Sequence, residues 1–299
     1  MKVLISGSGG FIGSALAERL TSSGHRVIRL VRREVSPGQD AVSWSPDDGE
    51  IDARGLEDVD AVVHLAGEGI GDHRWTEGHK ARVLSSRVRG THLLAEAIAG
   101  VDRPPKVMIS GSAVGYYGYL GADSMTEASP LGDGFLADVI EQWETAAEPA
   151  AKAGIRVVRI RSGVVLSPKG GALRKQLLPF KLGVGGKLGS GDQYLSWISL
   201  EDEIGAIEFL LERDDISGPV NVTSPNPVTN TEFTRALGAA LGRPTFMPVP
   251  TLALKLLFSN EMTEEMLLGG QRVLPERLQE AGYEFSDPEV GIALRKMLA

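Results

Sequence analysis

The stretch Val3-Leu4-Ile5-Ser6-Gly7-Ser8-Gly9-Gly10-Phe11-Ile12-Gly13 decides the fold. Val3-Leu4-Ile5 is a short apolar run of the kind that forms a buried strand. It enters glycines spaced Gly7-x-x-Gly10-x-x-Gly13, after which Ile12, Leu16 and Leu20 recur at helical spacing. A strand, a glycine turn and a helix in that order make a dinucleotide-binding loop. Glycine at the turn takes backbone angles closed to other residues, and glycine facing the ligand lets the main chain approach a pyrophosphate. Gly13 allows the helix to pack closely on the strand, and the helix N-terminus attracts phosphate. Gly7, Gly10, Phe11, Ile12 and Gly13 are therefore candidate cofactor-binding residues. No lysine follows Gly13, so the loop is not of the GxxxxGK type.

Outward from this loop, strands and helices alternate. Gly24 stops the first helix, and Arg26 to Val31 reads as a second strand. Ala61 to Leu65, Lys106 to Ile109 and Arg156 to Ile160 are further buried-strand candidates. Ala81, Leu84, Val88, Thr91, Ala95 and Ile98 mark a long helix, and a second is expected from about Phe135 to Ala153. This pattern predicts an α/β fold, a doubly wound parallel sheet with helices on both faces.

After Ser162 the texture changes. Residues 168–191 are rich in Gly, Lys and Leu without a long period, and read as loop and short helix over the sheet edge. Glu201 to Leu211 is expected to be helical, Val220 to Val222 a strand, and Asn230 to Leu241 a helix capped by Thr229 or Asn230. The rest is expected to be mainly helical, with Asp287-Pro288 opening the last helix. Two parts are predicted: a nucleotide-binding core over 1–165, to which the strand near 220 returns, and a smaller substrate-side helical region over 166–299.

Composition narrows the class. The chain has 299 residues, 42% hydrophobic and 23% charged, the balance of a globular protein of one large domain or a large and a small one. It has no cysteine, which excludes disulfides, thiolate nucleophiles and cysteine-ligated metals. The five histidines lack ligand spacing, so no metal is expected. A net charge of −8 argues against general binding to nucleic acid or anionic membranes, while leaving room for a local basic pocket. Few apolar residues precede Gly7, and no run of about 18 apolar residues occurs. A cytoplasmic protein is the expectation.

The second strand is followed by Arg32 and Arg33. An acid about 20 residues beyond the glycine loop would bind the adenosine ribose of NAD. Here the position holds Arg32, whose guanidinium suits a 2′-phosphate through charge-assisted, bidentate contacts. NADP(H) is thus expected in preference to NAD(H). The alternatives are that both arginines are plain surface charge, or that Asp40 reads the ribose.

The sequence resembles the extended, sugar-nucleotide epimerase-like branch of the short-chain dehydrogenase/reductase superfamily. Within it, the similarity is to the atypical bacterial "epimerase family protein" group, which carries a C-terminal domain of unknown function. Gly7, Gly10 and Gly13 match the coenzyme loop, and His64-Leu65-Ala66-Gly67 matches the segment lining the coenzyme, which makes Leu65, Ala66 and Gly67 cofactor candidates. Arg74-Trp75-Thr76, the run from Ser110 to Gly118, Leu188 to Gly191, Trp197-Ile198, Asn226 to Asn230 and Gly269 to Pro275 extend the match over essentially the whole chain. The resemblance implies a Rossmann-type core with a smaller C-terminal substrate domain.

It also exposes a gap. Members of the superfamily use a serine or threonine, a tyrosine and, four residues later, a lysine. Ser112 stands at the serine position, but where the tyrosine–lysine pair belongs the chain has Phe135 and Val139. Neither side chain can exchange a proton. Arg87 replaces an expected asparagine. Tyr117 matches a substrate-side tyrosine of related enzymes, and its phenol would serve as acid if Lys80, Arg82 or Arg87 lowered its pKa. Otherwise it packs at the sheet edge. Ser112 and Tyr117 are the catalytic candidates. Glu68, Arg74, Trp75 and Arg87 are candidates for substrate contact by ion pairing and stacking.

Lys169, Lys175, Lys181 and Lys187, spread among glycines, read either as a basic lid for phosphate-bearing groups or as an exposed loop. Asp202 matches a family position that holds the lid to the core. Two functions follow. One is an NADP-dependent oxidoreductase or epimerase acting on a small polar molecule. The other is a coenzyme-binding regulator without turnover, which the resemblance associates with cell division. A homodimer through the long helices is implied by family analogy alone.

Overall fold

The structure, a computed structural model, describes residues 1–119 and 121–299. The first part of the chain forms β1 (Lys2–Ser6), α1 (Phe11–Ser22), β2 (Arg26–Val31), β3 (Ala41–Ser45), β4 (Glu50–Ile51) and β5 (Ala61–His64). Then come α2 (Glu77–Ala99), β6 (Val107–Ala113), β7 (Ser124–Met125), α3 (Phe135–Thr145), α4 (Glu148–Lys152), β8 (Arg156–Ser162) and β9 (Val164–Leu166). They are followed by α5 (Gly171–Lys181), β10 (Tyr194–Leu195), β11 (Trp197–Ser199), α6 (Leu200–Glu212), β12 (Gly218–Val222), β13 (Val228–Thr229) and α7 (Asn230–Leu241). Last are α8 (Thr251–Leu257), α9 (Asn260–Met262), a π-helical turn over Thr263–Leu268, β14 (Arg272–Val273), α10 (Glu276–Glu280) and α11 (Val290–Leu298).

Eight strands form one sheet in the order β12-β8-β6-β5-β1-β2-β3-β4, parallel except for β4. The central strands β1 and β5 are apolar over most of their length because both faces are covered. Val3 and Ile5 enter one core with α1 and α6, whereas Leu4 enters the other beneath α2 and α4. Val62 and Met108 likewise point away from Val63 and Ile109. This is the Rossmann-type, doubly wound arrangement. The direction of winding reverses at β1, with β2 on one side and β5 on the other, which opens a crevice at their carboxyl ends. A third core of Leu173, Phe180, Phe233, Leu237 and Leu294 joins α5, α7 and α11 in the helical C-terminal region. β12 and α6 lie beyond residue 166 in sequence but pack on the main sheet.

Three local expectations need correction. The helix anticipated from Phe135 to Ala153 breaks after Thr145, because Pro149 has no N–H to give the carbonyl four residues back and its ring would strike that carbonyl. A new helix starts instead, with Pro149 in its first turn. Ala41–Ser45 is an unanticipated strand whose Val42 and Trp44 alternate into the core. The last helix opens at Val290 and not at Asp287-Pro288. Asp287 is held elsewhere, its N–H donating to Asp202 at 2.9 Å and its carboxylate pairing with Lys296. Asp202 therefore fastens α6 to residues 283–287, not to a lid over 169–191.

Candidate cofactor crevice and active-site face

Two close approaches shape the crevice. Gly7 has φ 67°, and a Cβ there would lie 2.9 Å from the backbone of Leu65 and Ala66. A Cβ on Gly13 would overlap the Gly7 carbonyl, so α1 can sit this near the loop only with glycine at that position. The turn closes through the Gly10 N–H donating to the Gly7 carbonyl at 2.8 Å. The β5 exit is pinned alongside by Ser6, whose Oγ accepts from the Leu65 and Ala66 N–H groups at 3.0 and 3.2 Å. The same hydroxyl is hydrogen-bonded to His64 Nδ1 at 2.7 Å, and burial pushes the His64 pKa down to about 4, which leaves the ring neutral. The first turn of α1 holds no acidic side chain, so its free N–H groups and dipole face the crevice uncompensated.

A cavity of about 440 Å³ results, lined by Gly7, Gly10, Leu65, Ala66, Gly67 and Glu68 at one end and by Arg32 and Arg33 at the other. Trp44, Asp47 and Ser86 also line it, and none of these was singled out from sequence. The alternation of Val42 and Trp44 was the available signal. Gly13 stands behind the loop, Ile12 packs on the main core, and the Phe11 ring lies against Gly170 and Gly171. Arg32 is exposed and forms no hydrogen bond or ion pair among the described residues, whereas Arg33 donates to the Glu34 carbonyl and Gln39. Asp40 accepts two bonds from Arg26, at 3.0 and 2.6 Å, which occupies the acid that was the alternative ribose partner.

Ser112 and Tyr117 meet in a buried polar network at the ends of β6 and β8. The Ser112 hydroxyl donates to Glu144 at 2.6 Å. Arg161 grips both oxygens of Glu144 at 2.8 and 2.9 Å, donates to the Tyr117 hydroxyl at 3.0 Å, and has the Tyr116 ring 3.4 Å from its Cζ. Tyr117 in turn donates to Asn221 on β12 at 2.7 Å. The cation at Tyr117 is thus Arg161, and not Lys80, Arg82 or Arg87. Burial raises the phenol's pKa and outweighs the opposing pull of Arg161, so the phenol is a poorer acid than in water. Burial alone would lower the pKa of Arg161, but Glu144 more than offsets it and the guanidinium stays charged. Sequence reasoning missed Glu144, Arg161 and Asn221, although Arg161 was visible as a cation directly after the strand candidate Arg156 to Ile160.

The position of the absent tyrosine is filled. The Phe135 ring packs edge-on to Trp75, centroids 5.1 Å apart, with the Lys80 ammonium 4.6 Å above it. Lys80 is itself held by Glu261 at 2.8 Å, and Glu265 accepts from the Phe135 and Leu136 N–H groups at 3.1 and 3.0 Å. A carboxylate from the C-terminal region thereby caps α3, which no side chain of its own caps. Trp75 donates to the Ile70 carbonyl, and the exposed Arg74 donates to the Phe258 carbonyl. Arg87 stacks on Trp143 and donates to the Glu68 and Val83 carbonyls. Burial brings its pKa down to about 10, so it remains a cation beside Gly67. The structure thus gathers the glycine loop, the arginines after β2 and the β5 exit into one cavity, and holds Ser112 with Tyr117 in a separate network.

Known proteins resemble this chain along its whole length. An epimerase family protein of Mycobacterium bovis is 46% identical over 292 residues, covering 98% of this chain and 96% of that protein. A crystal structure of human epimerase family protein SDR39U1 (isoform 2) with NADPH superposes with a TM-score of 0.91 at 39% identity, covering 100% of this chain and 99% of the human one. A Corynebacterium glutamicum structure described as a nucleoside-diphosphate sugar epimerase gives 0.81 at 37% identity, covering 100% of this chain and 58% of that chain. Residues 249–297 match a domain of unknown function, DUF1731. Residues 3–223 match the NAD dependent epimerase/dehydratase family, and by this match and the identity with its relatives the chain belongs to that family.

Proposed function

We propose that the protein binds NADP(H) in the β1–β5 crevice and is an atypical oxidoreductase or epimerase acting on a small polar substrate. The observation that carries this is the cavity joining the glycine loop to Arg32, whose guanidinium is uncommitted among the described residues while Asp40 is tied to Arg26. Its residues fit the coenzyme: Gly9 lines the cavity with open space where a Cβ would stand, and Arg32 and Arg33 offer charge for a 2′-phosphate. The NADPH present in the human relative's structure supports the same reading.

The coenzyme, when bound, supplies or accepts hydride. The chain's own residues orient and enclose it. Gly7, Gly10 and the α1 N-terminus hold the pyrophosphate, and Leu65, Ala66 and Gly67 line the path beyond it. Ser112 is the proposed substrate-contacting hydroxyl, since Glu144 takes its proton and leaves its lone pairs free. Tyr117 ranks second, because its hydroxyl already donates to Asn221 and accepts from Arg161. Glu68, which lines the cavity, and Arg87, bonded to the Glu68 carbonyl, are the proposed substrate contacts nearest it, with Arg74 and Trp75 farther along the same loop, and the region after residue 166 is the proposed substrate side. A second reading, coenzyme binding without turnover, is favoured by one observation: Phe135 is packed between Trp75 and Lys80 where a proton-transferring tyrosine would stand.

Fluorescence titration with NADPH and NADH tests the coenzyme. Charge-assisted hydrogen bonds to a 2′-phosphate contribute about 1.5–3 kcal/mol, so NADPH is expected to bind at least about tenfold more tightly. Arg32→Ala removes most of that difference and leaves NADH binding nearly unchanged. Tighter NADH binding by the unaltered protein would overturn the assignment.

A further inference from the structure

The net charge of −8 conceals a segregation. Residues 169–191 and 243–258 hold seven Lys and Arg and no Asp or Glu. Taking those seven positive charges out of the net −8 leaves the other residues at −15. The same two segments carry eight of the eleven exposed large apolar side chains among the described residues. Distant in sequence, they are stitched together in space. The Val249 N–H donates to the Lys187 carbonyl at 2.8 Å, Leu188 bridges to Val249, and Gly186 abuts the Met247 carbonyl.

The apolar side chains project. Phe246 is 80% exposed, and on α8 Leu252, Leu256 and Leu257 are 71%, 70% and 67% exposed, with Leu254 alone buried. Large apolar side chains bared together on two adjoining segments mark an interaction surface, whereas scattered single ones do not. Two cations are neutralised from outside the segments, Lys175 by Asp72 and Lys255 by Glu264. Lys169, Arg174, Lys181, Lys187 and Arg243 form no ion pair among the described residues. Projecting apolar groups interspersed with unpaired cations are the chemistry of a surface that enters the boundary between headgroups and acyl chains of an anionic bilayer.

We propose that this face docks the protein peripherally on an anionic lipid bilayer. Phe246, Met247, Leu256 and Leu257 enter the interface, and the unpaired cations meet lipid phosphates. The strongly acidic remainder is repelled by the same bilayer, which holds the molecule with the patch facing the membrane. A second copy docking face to face would oppose cation with cation. A protein groove would have to receive side chains that stand on both a helix and a loop between Pro244 and Pro248.

Cosedimentation of the full chain with vesicles tests this, using phosphatidylcholine alone and phosphatidylcholine mixed with phosphatidylglycerol. Partition is expected into the phosphatidylglycerol vesicles at low salt, weakening as salt is raised. Each exposed cation removed, in Lys181→Ala and Arg243→Ala, is expected to lower the partition coefficient about fivefold. Phe246→Ser with Leu256→Ser is expected to abolish it. Circular dichroism and NADPH titration should match the unaltered protein; if the apolar pair perturbs folding, the charge pair still decides. Failure to bind phosphatidylglycerol vesicles at low salt overturns the proposal, as does equal binding by the charge variants. A dimer in sedimentation velocity that the apolar substitutions dissociate, without vesicle binding, overturns it in favour of a second copy.

Discussion

Replacing Arg161 by methionine tests the network that joins the two candidate catalytic hydroxyls. The perturbation removes both guanidinium bonds to Glu144, at 2.8 and 2.9 Å, in a pair whose side chains are 4% and 6% exposed. Glu144 is left with the Ser112 hydroxyl and with Arg159, 3.9 Å away and half-buried. Stranding one member of a buried pair costs about 3–5 kcal/mol, and inward movement of Arg159 would bring the loss toward the lower figure. With an unfolding entropy of roughly 2.1 cal/mol/K per residue, a chain of 299 residues changes by about 0.6 kcal/mol per degree. The expected fall in Tm is therefore about 5–8 °C, read by circular dichroism. Adding Glu144→Leu removes the stranded charge, and the double variant should recover most of the loss. A single variant within about 1 °C of the parent would refute the reasoning, as would a double variant showing the sum of the two single losses.

Three more outcomes follow from the site and the core. Gly10→Val should abolish NADPH binding with little change in Tm, because Gly10 has an ordinary φ of −79° and the added Cβ meets only the Gly7 carbonyl, at 3.1 Å; unchanged affinity would remove the loop from the site. Glu203 is fully buried, and burial pushes its pKa up to about 7, with the Ser162 hydroxyl only partly offsetting the shift. The folded state thus holds this proton more tightly than the unfolded chain, so the associated stability is present below about pH 4.5 and lost as pH rises through about 7. Glu203→Gln should flatten that decline, of order 3 kcal/mol, and identical urea-denaturation profiles against pH in both proteins would contradict it. Common nucleotide sugars should not be epimerised at ordinary rates, since Phe135 and Val139 carry no exchangeable proton; rapid interconversion seen by chromatography would mean that another acid or base serves.

By itself the sequence determined the elements whose signals are local. The glycine spacing after an apolar strand placed the first turn and helix, and continuous apolar runs read as strands covered on both faces, because periodicity and turn chemistry lie within a few residues of each other. The substitution of Phe135 and Val139 was equally legible, since it needs only two side chains with nothing to give. Tertiary structure decided everything that depends on residues meeting across the sheet. Glu144, Arg161 and Asn221 come from α3, β8 and β12, and no spacing announces that they join Ser112 and Tyr117 in one network. Glu265 caps α3 from 130 residues away, and Arg26 claims Asp40. The local preference of a buried charge is to be solvated. Only the packed fold, by excluding water, makes Glu144 and Arg161 find the partners that their neighbours bring within reach.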